Sequence, residues 1–179
     1  MKKKKRLPVV VEDLITIAVV VIAVLLINHF LLINARIPSE SMETTVMAND
    51  RIFGNRLAYR DSTPGRYDIV IFRYPDDPTG ETLFIKRVIG MPGETLMIRD
   101  GKVYVNGSGE PLDDSFCSEA PEGDYGPFEI PDGCYFMMGD NRNDSLDSRF
   151  WDHPYVTTDA ILGKAFFRYW PLWKAGMIS

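Results

Sequence analysis

Twenty consecutive positions, Leu14–Ile33, contain only Thr16, Asn28 and His29 as polar residues. A helix of about 20 apolar residues spans the hydrocarbon of a bilayer. In that solvent each backbone polar group must be bonded within its own segment, which leaves helix as the reading for one isolated run. Glu12 and Asp13 fall near one interface and Asn28-His29 near the other. Upstream stand Lys2, Lys3, Lys4, Lys5 and Arg6. Basic flanks stay in the cytoplasm. The expected order is a cytoplasmic basic tip (1–8), a single transmembrane helix (9–34) and an extracytoplasmic domain (35–179). The run is followed by Ile33-Asn34-Ala35-Arg36, which lacks the small-x-small pair of a signal-peptide cleavage site. The helix is therefore expected to stay in the mature protein.

The net charge of −5 hides an asymmetry. Outside the basic tip there are 15 basic and 25 acidic residues, a net of −10. Nucleic-acid binding needs a basic face on the folded part, so it is not expected. Cys117 and Cys134 lie seventeen apart and have no metal-type spacing, and the chain has only two histidines. A zinc site is not expected, nor any other metal or cofactor. A disulfide and two free thiols both remain open.

Pro38 disfavours helix at the residue before it, and the chain beyond reads as β. Arg51–Gly54, Asp68–Tyr74, Thr82–Ile89, Cys134–Met138 and Ala160–Trp170 are candidate strands. Thr95–Arg99 and Lys102–Val105 flank Asp100-Gly101, a dipeptide that tolerates the positive φ angles of a two-residue hairpin turn. Residues 106–131 are rich in Gly, Pro, Asp and Glu and read as an irregular excursion. The predicted class is mainly β: one N-terminal transmembrane helix and an all-β domain of sandwich or open-barrel type.

Ser39-Glu40-Ser41-Met42 follows the membrane run closely, and Lys86 interrupts the apolar run Leu83–Ile89. A serine hydroxyl is a weak nucleophile until a base takes its proton. Alternation along a strand puts Lys86 on one face with Phe84 and Val88. Burial there would favour a neutral amine; a lysine snorkelling to solvent at a strand edge is the plainer alternative. His153, beside Pro154, is the other candidate base and reads as a loop residue. Gly139–Arg149 reads as a turn with a charge cluster. Asn141, Asp144 and Asp147 invite comparison with calcium ligands but lack the glycine and distal glutamate of an EF-hand loop.

Three blocks together resemble the bacterial type I signal peptidases, membrane-anchored Ser-Lys proteases. They are Ser39-Glu40-Ser41-Met42, Lys86–Glu94 and Gly139–Arg149, the last following the family's G-D-N-R-x-x-S-x-D-S-R pattern. Asn49–Ile52, Gly163–Ala165 and Arg168–Pro171 fit weaker blocks, and the order runs the length of the chain. The resemblance implies Ser41 as nucleophile and Lys86 as general base. It implies that Ser145 orients the lysine and that Ser39, with the Ser41 N–H, supplies the oxyanion donors. Asp147 and Arg149 would form a supporting ion pair, and Arg87 another with Asp140. Ile37, Met42, Ile52, Phe84 and Ile85 would line shallow substrate pockets, unless all five are simply core.

The resemblance implies a membrane-bound serine endopeptidase that cleaves signal peptides from secretory pre-proteins. Its expected partners are those pre-proteins and the lipid bilayer. The alternatives are a Ser-Lys peptidase with one dedicated substrate or itself as substrate, and a non-catalytic membrane-anchored binding domain. The aromatic cluster Phe166, Phe167, Tyr169, Trp170 and Trp173 is expected to divide between core packing and a membrane interface.

Overall fold

A computed structural model describes residues 8–179; the basic cluster Lys2–Arg6 lies outside the described residues. Helix α1, Val9–Phe30, is 22 residues long and buries none of them against the rest of the chain. At 1.5 Å per residue it reaches about 33 Å, enough for a bilayer core of about 30 Å. Its apolar residues surround the axis, and Thr16 turns its hydroxyl back to the Glu12 carbonyl at 2.9 Å. That bond satisfies the hydroxyl within the span.

The helix ends earlier than the 9–34 span expected from the sequence. The Leu31 N–H closes the last turn on the Ile27 carbonyl, and Leu32–Arg36 is strand β1. Apolarity alone had joined the two elements. Ile33 belongs to the domain: it is 4% exposed in a core cluster with Ile37, Ile52 and Ile71. Gly54 and Gly163 have no Cβ to obstruct it.

Ten further strands follow: β2 Arg51–Asn55, β3 Ile69–Arg73, β4 Leu83–Gly90, β5 Thr95–Arg99, β6 Lys102–Val105, β7 Tyr125–Glu129, β8 Cys134–Met138, β9 Val156–Thr157, β10 Ile161–Trp170 and β11 Gly176–Met177. The main sheet has the order β1-β2-β10-β3-β4-β8-β9, with β11 added to β10; β6-β5-β7 forms a smaller sheet. Every pairing is antiparallel. The main sheet ends at β1 and β9 without closing, so the domain is β-rich and open. The Asp100-Gly101 turn has φ of 51° and 71°, as the hairpin required.

The excursion over 106–131 contains a strand that the sequence reading missed. β7 carries Gly126 and Pro127, which argue against a strand interior. It is tolerated because β7 pairs only with β5 and is an edge of the small sheet. The remaining stretch, residues 106–124, forms a tongue that reaches Thr44, Arg87 and Arg142.

Candidate active site

The serine loop, residues 37–50, joins β1 to β2. Two backbone bonds close its base, Ile37 N–H to Asp50 O (3.0 Å) and Asn49 N–H to Ile37 O (2.8 Å). Asn49 takes a φ of 69°, a left-handed conformation that asparagine tolerates. Met42 and Val46 are completely buried and peg the loop to the core. Between these anchors sits Ser41, with its Oγ 3.3 Å from Ser39 Oγ. Among the described residues the Ser41 N–H has no hydrogen-bond partner.

Lys86 lies in the middle of β4, opposite Val70 of β3. It is 3% exposed. Among the described residues its amine makes no hydrogen bond, and the Phe84 ring lies 5.7 Å from Nζ. Burial is the main influence on this group and lowers its pKa from 10.5 to about 8. The carboxylates of Asp147, Asp140 and Asp144 oppose that shift, whereas the Arg149 guanidinium reinforces it.

The Gly139–Arg149 segment packs against the serine loop. The Asn141 N–H donates to the Ser41 carbonyl at 3.2 Å, and the Asn141 amide donates to the Glu40 carbonyl at 3.2 Å. Gly139 has no alternative here, since a Cβ would collide with the Ser41 carbonyl oxygen and Ser145 Oγ. The Ser145 hydroxyl donates to Asp147 Oδ2 at 2.8 Å. The same oxygen accepts from the Gly139 N–H (3.0 Å) and Arg149 Nη2 (2.9 Å). The other Asp147 oxygen accepts from Arg149 Nε at 2.8 Å. Both oxygens of this fully buried carboxylate are thus taken by protein donors. Arg87 and Asp140 also pair, at 2.8 and 2.7 Å.

Ser41, Lys86, Asp144 and Leu146 open onto one cleft of about 440 Å³, whose apolar wall is Leu83, Phe84 and Ile85. A second hollow of about 250 Å³ continues past Pro38 and shares that wall, with Ile37 and Ala35 beyond it. Of the five predicted pocket residues, Phe84 and Ile85 line both hollows and Ile37 lines the second. Met42 and Ile52 line neither; both are fully buried in the core. The wall is also a free strand edge. β3 pairs with Leu83–Arg87 of β4, but β8 joins β4 only from Arg87 onward.

His153 stands apart from this cleft. Its side chain is 79% exposed and its Nδ1 lies 2.6 Å from Asp76 Oδ1. Cys117 and Cys134 are free thiols, and burial drives Cys117 up to about 12. Trp170 (46%), Leu172 (71%), Trp173 (80%) and Met177 (73%) are exposed. Phe166, Phe167 and Tyr169 are partly buried, with Tyr169 stacked on Phe53 at 4.4 Å.

An open antiparallel β domain on one membrane-length helix, with a serine and a buried lysine facing one cleft, has the layout of a membrane-anchored peptidase. Residues 10–170 match the family model described as "Signal peptidase, peptidase S26", and the chain belongs to that family. A signal peptidase I from Leptolyngbya laminosa is 37% identical over 173 residues, covering 94% of this chain and 83% of that protein. Signal peptidase I T from Bacillus subtilis is 36% identical over 163 residues, covering 87% and 82% respectively. A solved signal peptidase I from Enterococcus faecalis V583 aligns with a TM-score of 0.47 at 31% identity, covering 57% of this chain and 97% of that one.

Proposed function

We propose that this chain is a membrane-anchored serine endopeptidase that removes signal peptides from exported pre-proteins, with Ser41 and Lys86 as its catalytic pair. The observation that carries the reading is that Ser41 and the buried Lys86, whose amine makes no hydrogen bond among the described residues, line one apolar-walled cleft. An extended peptide adds as a strand to the free edge of Leu83–Lys86, and its small side chains enter the two hollows.

Ser41 Oγ attacks the scissile carbonyl carbon while its proton passes to the neutral Lys86 amine. The oxyanion is held by the Ser41 N–H and the Ser39 hydroxyl. The resulting ammonium protonates the leaving nitrogen as the C–N bond breaks, leaving an acyl-enzyme. Lys86 then takes a proton from water, and the hydroxide equivalent attacks the ester. Collapse of that second intermediate frees the acid, and Lys86 returns the proton to Ser41 Oγ. Ser145 donates to Asp147, which leaves its oxygen lone pairs to accept from Lys86 in the reacting complex and to orient the lysine there without adding a charge that would raise its pKa. Asp147 and Arg149 hold Ser145.

Helix α1 crosses the membrane with the basic cluster on the cytoplasmic side, so the cleft faces outward. Trp170, Leu172, Trp173 and Met177 meet the same bilayer. The test is cleavage of an unrelated pre-protein by the detergent-solubilised full chain. Wild type should yield a shortened product and Ser41→Ala none. Absence of product from the wild type would reject the general peptidase reading.

A further inference from the structure

The tongue over residues 106–124 reaches the catalytic loops from outside the three blocks that resemble known peptidases. Its Asp114 carboxylate binds the Arg142 guanidinium at two points, 2.6 and 2.8 Å. The Arg142 side chain is fully buried and its Nε donates to the Gly139 carbonyl at 3.1 Å. Gly139 is the residue wedged between the Ser41 carbonyl and Ser145. Two residues further along the tongue, the Phe116 ring lies under Arg87 at 4.2 Å and 5.8 Å from Arg142. The Phe116 carbonyl accepts the Thr44 hydroxyl at 2.8 Å, three residues after the nucleophile. Thr44 has a φ of 77°, a conformation that a β-branched residue adopts only when its surroundings impose it.

We propose that Asp114 and Phe116 are positioning residues of the catalytic pair, locking the serine loop and the Gly139–Arg149 segment into one register. Asp114 acts through Arg142 and Gly139 on the Ser41–Ser145 side. Phe116 acts through Thr44 on the serine loop and through Arg87 on the strand that carries Lys86. Neither residue touches the cleft. Without Asp114, Arg142 is a buried cation lacking its bidentate partner, and Gly139 is held from one side only. The effect falls on the geometry of attack and not on substrate affinity.

This inference rests on the Ser41–Lys86 reading, and one experiment separates the two. Steady-state cleavage of a pre-protein is measured for the full-length wild type, Ser41→Ala, Asp114→Ala, Asp114→Glu, Phe116→Leu and Glu110→Ala, with melting recorded for each. Misplacement of reacting groups by a fraction of an ångström lowers kcat steeply, so Asp114→Ala and Phe116→Leu should lose about tenfold or more in kcat with KM unchanged. Asp114→Glu should recover part of the loss, and Glu110→Ala, on the exposed side of the tongue, should match the wild type. Wild-type kcat in folded Asp114→Ala overturns the proposal. So does a rise in KM alone, or a loss of rate that appears only where the variant melts. If Asp114→Ala does not fold, Phe116→Leu decides by the same criteria. Activity in Ser41→Ala would instead reject the catalytic pair. An inactive Ser41→Ala beside a fully active Asp114→Ala rejects the tongue's role alone.

Discussion

Lys86 and Arg87 are consecutive residues of β4, each 3% exposed, and strand alternation sends them to opposite faces. On one face Lys86 has no hydrogen-bond partner among the described residues. On the other, Arg87 gives Nε and Nη2 to Asp140, Nη1 to the Tyr67 carbonyl (3.0 Å) and Nη2 to Thr45 Oγ1 (3.3 Å). Burying a cation costs several kcal/mol unless its donors are satisfied. Arg87 is satisfied and ties the serine loop to the Gly139–Arg149 segment. Lys86 is not, and answers by giving up its proton more readily. A guanidinium cannot respond in that way. Of two adjacent buried cations, the paired one serves the architecture and the unpaired one is free for chemistry.

The sharpest way to break this comparison is to exchange the chemistry of Lys86 while keeping its charge. Lys86→Arg should abolish cleavage, as should Ser41→Ala. Measurable turnover by a folded Lys86→Arg protein would remove the lysine from its role as base.

The opposite face should fail in stability. Asp140→Ala leaves Arg87 buried without its carboxylate and should cost about 3–5 kcal/mol in denaturant unfolding. A much smaller change would mean that Arg87 is satisfied by its carbonyl and hydroxyl partners alone.

Titration separates the two faces without mutating the partners. The folded value for Lys86 is about 8, below the ordinary 10.5. Between those values the unfolded chain holds more protons than the folded one, so stability rises with pH across that window. Below about 8 the cost of the buried ammonium is fully present. Cleavage should rise with pH toward the same value as the neutral amine accumulates. Lys86→Met should remove this part of the stability slope and stabilise the protein at neutral pH by up to about 3 kcal/mol. An unchanged slope in that variant would assign it to another group.

The smallest effect concerns Ser145, whose hydroxyl is held by the Asp147 carboxylate that Arg149 also binds. Ser145→Ala should lower the rate by roughly tenfold to a hundredfold, the equivalent of about 1–3 kcal/mol, with melting close to the wild type. Wild-type turnover would show that Asp147 and Arg149 suffice without it.

Much of this arrangement is legible along the chain. The candidate strands at Asp68–Tyr74, Thr82–Ile89 and Cys134–Met138 correspond to β3, β4 and β8, because β-branched and aromatic runs between turn residues carry a local signal. The end of α1 is less legible, since Leu31, Leu32 and Ile33 are as apolar as the helix before them and only the burial of Ile33 under the sheet separates them. β7 was hidden by Gly126 and Pro127, which only an edge position excuses. Met42 and Ile52 carry the same kind of side chain as Ile37 and Ile85, yet only the latter two reach a hollow. Asp114 and Phe116 carry no sequence signal, because their partners lie 28 and 72 residues away.

By itself, the sequence determined the membrane-length helix, the hairpin at Asp100-Gly101 and the β-rich class. Each follows from spacing and side-chain type among near neighbours. Its three blocks also singled out Ser41, Lys86 and Ser145 by resemblance. Only the tertiary structure decided that Ser41 and Lys86 line one cleft while Ser145 is held by Asp147, that Arg87 is hydrogen-bonded whereas Lys86, among the described residues, is not, and that the tongue reaches both the serine loop and the Gly139–Arg149 segment. The lysine's lowered pKa belongs to the second group, because desolvation depends on every segment that covers a residue, and those segments come from distant parts of the chain.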